Sequence, residues 1–195
     1  MNYLDALKTR RSHYALKNTI TVPEEKVIEV ITDSIKHTPS PYNTQTTRAM
    51  ILLGENHKKL WNIVKEVLLA RIGPERFVKT EAKIDKSFMS GYGTVLFFID
   101  DAEVEKYAKD ISEKFYGWAN ESAGMAQINV WNGLSSLGLG ASLQHYNPII
   151  DDKTKIAFDI PESWKLISQM PFGDITEAPG AKVFKDINEI VRVKK

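Results

Sequence analysis

The sequence predicts an α+β fold, a central and mostly antiparallel sheet flanked by helices. Three observations carry this expectation. Helical periodicity comes first and strand-like runs are scattered behind it, without the regular βαβ alternation of a doubly wound sheet. The run GTVLFFIDD (residues 93–101) is continuously apolar and rich in β-branched and aromatic residues, which marks a central strand covered on both faces. The 195 residues, 43% of them hydrophobic, suffice for one domain with a large core and no disulfide or structural metal.

The elements follow in order. A first helix is expected over Tyr3–Thr9, and Thr21-Val22-Pro23-Glu24 has the form of a capping box at the head of a second. Val27, Ile28, Ile31 and Ile35 recur there at helical spacing. That helix must stop before HTPSPYN, because Pro39 and Pro41 exclude it and restrict the residues before them. RAMILLG (48–54) reads as a strand. Leu60, Trp61, Val64, Val67 and Leu68 then share one face of a third helix, closed by Gly73-Pro74. After the central strand, helical segments are expected at 104–115 and 118–137. The second carries Ala119, Ser122, Ala123, Gly124, Ala126 and Gly133, small residues that allow close approach to another backbone, its own or a second subunit's. GASLQHY (140–146) and KLISQMPFG (165–173) read as strands on either side of a short helix over Asp151–Phe158. The tail AKVFKDINEIVRVKK (181–195) has no evident place in a compact core.

Composition narrows the chemistry. The absence of cysteine excludes thiol catalysis, disulfides and thiolate-bound metals. With no long apolar stretch and no apolar leader, a soluble, cytoplasmic protein without membrane partners is expected. Lys and Arg number 26 against 25 Asp and Glu, which argues against a nucleic-acid surface. The adjacent arginines in TRRSH (9–13) therefore call for a local anion rather than a polyanion.

Other motifs weigh less. Gly138-Leu139-Gly140 begins a dinucleotide fingerprint, but Leu143 stands at the third glycine and a helix precedes the motif where a strand should. A glycine-capped helix end is the better reading. The four histidines are scattered, with no pair at metal-ligand spacing, so no metal site is expected. Asp100 and Asp101 read as helix caps, and Trp118 and Trp131 as packing or interface residues rather than cofactor stackers. In the stiff loop PSPYNTQT (39–46), Asn43 and Gln45 can present donor–acceptor amides to the edge of a heterocycle. The alternative is a turn-forming asparagine in a proline loop.

Taken in order, the R-R-S at the end of the first helix, P-S-x-x-N-x-Q, G-L-G-A-S-L-Q-H, P-F-G and a late lysine form a set. The chain resembles the FMN-dependent nitroreductase family over essentially its whole length. GASLQHYNP resembles its short, cysteine-poor, fatty-acid-repression-type branch in particular. The resemblance implies that Arg10, Arg11 and Ser12 hold the FMN phosphate and the flavin edge, a sensible use of guanidinium forks. Tyr14 stands where many relatives carry a cation, which leaves Arg11 to supply positive charge beside the reduced ring. Asn43 and Gln45 are implied at the pyrimidine side, Leu143, Gln144 and His145 along the flavin face, and Lys182 at the phosphate. Gly180 replaces a further basic residue of the family.

The resemblance further implies one FMN-binding domain over residues 1–195, in an intertwined homodimer whose arm, 183–195, reaches the partner's sheet. The implied activity is ping-pong electron transfer from NADH or NADPH to a nitroaromatic or quinone-like acceptor. No catalytic side chain is then expected, because the flavin carries the chemistry. A flavin-binding redox sensor with little turnover is the alternative.

Overall fold

The computed structural model describes residues 2–195. Five strands form one sheet: β1 (Leu16–Lys17), β2 (Thr47–Leu53), β3 (Gly93–Asp100), β4 (Gly140–Ala141) and β5 (Trp164–Ile175). Their order is β1-β5-β3-β2, with β4 also on β5, and every strand pair is antiparallel. The expected α+β class is what forms.

All eight residues of β3 are buried, and the alternation of a strand explains the continuous apolar run. Leu96 and Phe98 point to a core containing Leu60, Trp61 and Val64 of α3 (Gly54–Ile72), with Phe88 beside them. Val95 and Phe97 point the other way, to Val27 and Ile31 of α2 (Glu24–Lys36) and to Val130 and Leu134 of α6 (Phe115–Ser136). Both faces are covered, so neither register of β3 could expose a polar face.

The small residues of α6 have two uses. Ala119, Ser122, Ala123 and Ala126 are buried. At Gly133 a Cβ would stand 2.7 Å from Val30 Cγ1, so glycine sets the close crossing of α2 and α6. Gly117 and Gly124, by contrast, face open space. The helix ends in a Schellman motif: Gly138 has φ of +80°, its N–H donates to Ser135 O, and Leu139 N–H donates to Leu134 O, both at 3.0 Å. The G-L-G segment is thus a helix cap.

Several expectations change. The capping box does not form, since Pro23 stands at the N-cap of α2 and no side chain caps it. Thr21 N–H instead donates to Asp174 Oδ1 at the end of β5. Ile28, expected on the buried stripe, is exposed. Gly73-Pro74 closes α3 but also opens an unexpected helix, α4 (Pro74–Ile84), because proline suits a first helical position as well as an end. The segment after β3 splits into α5 (Asp101–Asp110) and α6. Asp100 makes no cap hydrogen bond and accepts from Arg48 Nη2 at 3.0 Å. GASLQHY is strand only at β4, with an isolated bridge between Gln144 and Gln169. Pro171 lies between these pairings on β5 and has no N–H to extend the ladder. The first helix, α1 (Tyr3–Thr9), and α7 (Asp151–Phe158) lie where expected. The tail is irregular apart from the short helix α8 (Ile187–Ile190), and all of it is exposed.

One buried polar cluster ties α3 to β3. Trp61 Nε1 can only donate, and gives its proton to Thr94 Oγ1 at 3.0 Å. The Thr94 hydroxyl is then free to donate to His57 Nδ1 at 2.9 Å, and His57 Nε2–H donates to Met89 O at 3.2 Å. Burial lowers the His57 pKa, the Met89 carbonyl opposes this, and Lys58 adds to it. The unfolded chain therefore binds a proton below its ordinary 6.5 that the fold refuses. The stabilising contribution is complete above that value and falls as pH drops from there toward the depressed folded pKa. Urea midpoints measured from pH 7.5 to 5.5 should decline less for His57→Gln than for the wild type. Thr94→Val, which strands the indole N–H, should cost about 2 kcal/mol in the same assay.

Candidate functional site

The N-terminal cations are placed by main-chain bonds. Arg10 N–H closes α1 on Ala6 O at 2.9 Å. Ser12 bridges Ala141, and His13 N–H donates to Ala141 O at 2.9 Å. Thr176 N–H, just past β5, donates to Ala15 O at 3.0 Å. Residues 10–15 are thereby held between β4 and the end of β5. This fit needs Gly140, where a Cβ would lie 2.7 Å from Ile175 Cγ1 and 2.9 Å from His13 Cβ. The chain then folds back over the segment, and Arg11 Nη2 donates to Gly180 O at 2.7 Å.

The result is a cleft of about 600 Å³ with Arg10, Arg11, Ser12 and Tyr14 on one wall and Glu177 and Lys182 on the other. The Arg10 guanidinium lies 4.5 Å from the centroid of the Trp131 ring, a cation–π contact. Its Nε is buried without a hydrogen-bond partner. Burial and the like charge of Arg11 lower the Arg10 pKa. Burial, then Arg11 and Arg10, lower that of His13, and so favour its neutral form. Among the described residues no carboxylate forms an ion pair with Arg10, Arg11 or Lys182. Crowded guanidinium groups without a counter-ion, one of them with an unmet N–H, make a site for a phosphate-like anion.

The remaining expected residues lie outside this cleft. Leu143 is half-buried, the Gln144 main chain pairs with Gln169, its side chain donates to Ser142 Oγ at 3.0 Å, and His145 is exposed. Asn43 and Gln45 are exposed on a loop in which Tyr42, Asn43 and Gln45 have φ of 52°, 54° and 49°. Left-handed backbone at three non-glycine residues is costly and needs outside support. Ser40 Oγ accepts from Gln45 N–H at 2.9 Å, and Arg48, paired with Asp100, donates to Gln45 O. Gln45 lines a separate cleft of about 290 Å³ that shares no residue with the first. Sequence reasoning missed His13, Trp131 and Glu177 as parts of the cationic site. His13 lay inside TRRSH, whereas nothing marked the other two.

The sequence model of the nitroreductase family matches residues 7–174. The chain belongs to the nitroreductase family. Among the relatives of this nitroreductase are two proteins of Saccharomyces cerevisiae. HBN1 is 38% identical over 190 residues, 93% of this chain and 92% of its own, and the nitroreductase FRM2 is 34% identical over 197 residues, 98% and 96%. The structure of the nitroreductase CinD from Lactococcus lactis in complex with chloramphenicol superposes with a TM-score of 0.90, at 38% identity and full coverage of both chains. The CinD complex with 4-nitrophenol gives the same score at 39%. A nitroreductase with bound FMN from Desulfitobacterium hafniense, 17% identical with a TM-score of 0.76 over the full length of both chains, shares the fold. The chain is thus an oxidoreductase of this family. No helix among the described residues is long and apolar enough to cross a membrane.

The Arg48–Asp100 pair is the main brace of the Asn43 loop. Arg48→Ala removes it and leaves a buried carboxylate, whose second oxygen already lacks a partner. The variant should lose about 2 kcal/mol of unfolding free energy, less than a fully buried pair because Arg48 is partly exposed. Hydrogen exchange should accelerate at Asn43–Gln45 before it does in β3.

Proposed function

We propose that the protein is an FMN-dependent oxidoreductase that uses NADH or NADPH to reduce nitroaromatic or quinone-like acceptors. The observation that carries this reading is the cleft of Arg10, Arg11 and Lys182, cationic, without a paired carboxylate, and placed by main-chain bonds. The fit to FMN is good: the two guanidinium groups line the cleft without a carboxylate partner, and their forks would take the oxygens of a phosphate monoester. Ser12 and Tyr14 add hydroxyl donors along the same wall. FMN held there would supply hydride acceptance from the nicotinamide and onward reduction of the second substrate in alternating half-reactions.

The chain's own residues bind and orient. Arg11 carries positive charge toward the ring in place of the cation that Tyr14 replaces. Gln144 and Leu143, fixed by the pairing with Gln169, offer backbone to the ring face, with His145 beside them. A homodimer completes the site: Asn43 and Gln45, outside the cleft of their own protomer, would come from a second copy. The exposed apolar tail supports this, with Val183 92% and Val193 79% accessible, as does the open α6 face at Gly117 and Gly124. One FMN-binding domain with residues 183–195 as an exchanged arm accounts for both. The complexes of CinD from Lactococcus lactis with chloramphenicol and with 4-nitrophenol support a nitroaromatic acceptor. A cysteine-free chain suits the cytoplasm.

Purified protein should be yellow, release FMN on denaturation, and oxidise NADH or NADPH when given a nitroaromatic. Arg11→Ala should weaken FMN binding by about 1.5–3 kcal/mol, the worth of a charged hydrogen bond, while the urea midpoint of the apoprotein barely moves. Fluorescence titration with FMN gives the first quantity, and unchanged affinity would remove the phosphate from this cleft.

A further inference from the structure

Helix α4 does not end cleanly but widens into one π-helical turn, Asp85–Met89, a geometry frequent at functional sites. The turn carries Phe88 into the core, where it is fully buried against Trp61 with ring centroids 4.9 Å apart. Tyr14 and Tyr146 border the same ring, each with its centroid 6.2 Å away. Tyr14 also lines the cationic cleft and is 47% exposed. Tyr146 is half-buried, and its N–H donates to the buried Gln169 Oε1 at 2.8 Å. Burial, and after it Tyr14, raise the Tyr146 pKa, so that its phenol stays a donor at neutral pH. The exposed Lys83 completes the ring of neighbours, with Nζ 5.7 Å from the Phe88 centroid. The acids that flank it in sequence, Glu81 and Asp85, are both taken by Lys65, at 3.8 and 2.9 Å. Among the described residues Lys83 has no ion pair, and the hydroxyls of Tyr14 and Tyr146 have no hydrogen bond within the chain.

Phe88 is out of a ligand's reach and sets the spacing of what surrounds it. Around it stand two accessible aromatic rings, two phenol donors and one cation, all at the Tyr14 edge of the cleft. Packing of its stem on Phe88 accounts for the position of Lys83, but not for two donor hydroxyls beside it that the chain leaves unused. A flat ring bearing an acid group uses all of them: the tyrosine rings flank it, and the ammonium and phenols take its oxygens. We infer that Lys83, with Tyr14 and Tyr146, selects electron acceptors that carry a carboxylate, so that acidic nitroaromatics are the preferred substrate class. The inference rests on the flavin reading of the cleft but uses none of its cations.

The test uses the FMN-loaded protein with 4-nitrobenzoate and its neutral isostere 4-nitrobenzamide as acceptors, at saturating NADH or NADPH. Lys83→Met keeps the stem and removes the charge. At low ionic strength it should lower the benzoate-to-benzamide ratio of kcat/KM by about five- to tenfold, the worth of one partly exposed charged contact. The intrinsic difference in reducibility between the two compounds cancels in that comparison. Lys83→Arg should keep the wild-type ratio, and added salt should lower the ratio in the wild type but not in Lys83→Met. A ratio that Lys83→Met leaves unchanged assigns any charge preference to the arginine pair and overturns the inference. FMN content, read from the visible absorbance of each variant, separates a subsite effect from loss of the cofactor. A second arm needs no turnover: calorimetry on the oxidised protein with the same two compounds. Tighter binding of the benzoate that is lost in Lys83→Met supports the subsite. Equal affinity for the two, or displacement of the benzoate by equimolar acetate, overturns it. A colourless protein that reduces neither acceptor would sink the flavin reading instead, and the calorimetric arm would still decide the role of Lys83.

Discussion

Residues 10–15 are fixed by main-chain hydrogen bonds, through His13 to Ala141 on one side and through Ala15 to Thr176 on the other. The chemistry of the site depends on that double tether. Two guanidinium groups next to one another repel, and in a flexible segment they would splay into solvent. Here the backbone holds them, the Trp131 ring supports Arg10, and the chain after β5 supplies Gly180 O to Arg11. The cations are oriented before any ligand arrives, so binding need not include the cost of ordering them. Burial first, and after it that repulsion, lower the Arg10 pKa in the free protein. An anion relieves that repulsion only in the folded state, so by linkage it stabilises the fold as well as being bound.

The sheet makes the tether possible. β5 is the hub: β1, β3 and β4 all pair with it. Its last residues lie beside the Ala15 end of the cationic segment, and Gly173 sits so close to the Lys17 carbonyl that no Cβ would fit. Pro171 ends the ladder with β4 after two residues, and the chain beyond leaves the sheet. This is how Leu143 and Gln144 come to run as irregular backbone, pinned only at Gln169. A longer regular strand would have fixed these residues in the ladder.

Local signals were legible and long-range ones were not. The buried β3, the α7 span and the glycine cap at Gly138 each follow from a few adjacent residues, and each forms as read. The Thr21 capping box failed because Asp174, distant in sequence, takes its N–H. Helix α4 was missed because Gly73-Pro74 serves equally as a stop and as a start, and only packing decides. At the site, Arg10, Arg11, Ser12 and Lys182 were found as motifs, and the structure brings them to one cleft. That Trp131 lies against Arg10, or that Glu177 faces it, depends on how α6 and the end of β5 meet α1, and no local pattern encodes that meeting.

The loop that carries Asn43 and Gln45 supplies the last step. Its three left-handed non-glycine residues each cost on the order of 1–3 kcal/mol, and the Ser40, Arg48 and Asp100 contacts offset that strain. A turn meant only to join α2 to β2 has cheaper solutions with glycine. The loop instead holds two amides outward, exposed, in a protomer whose cationic cleft lies elsewhere. The tail beyond Lys182 shows the same economy in reverse, apolar side chains spread over solvent with no core of their own. Strain that serves nothing inside the chain and apolar surface that buries nothing inside it are the two observations on which the proposal of a second copy rests.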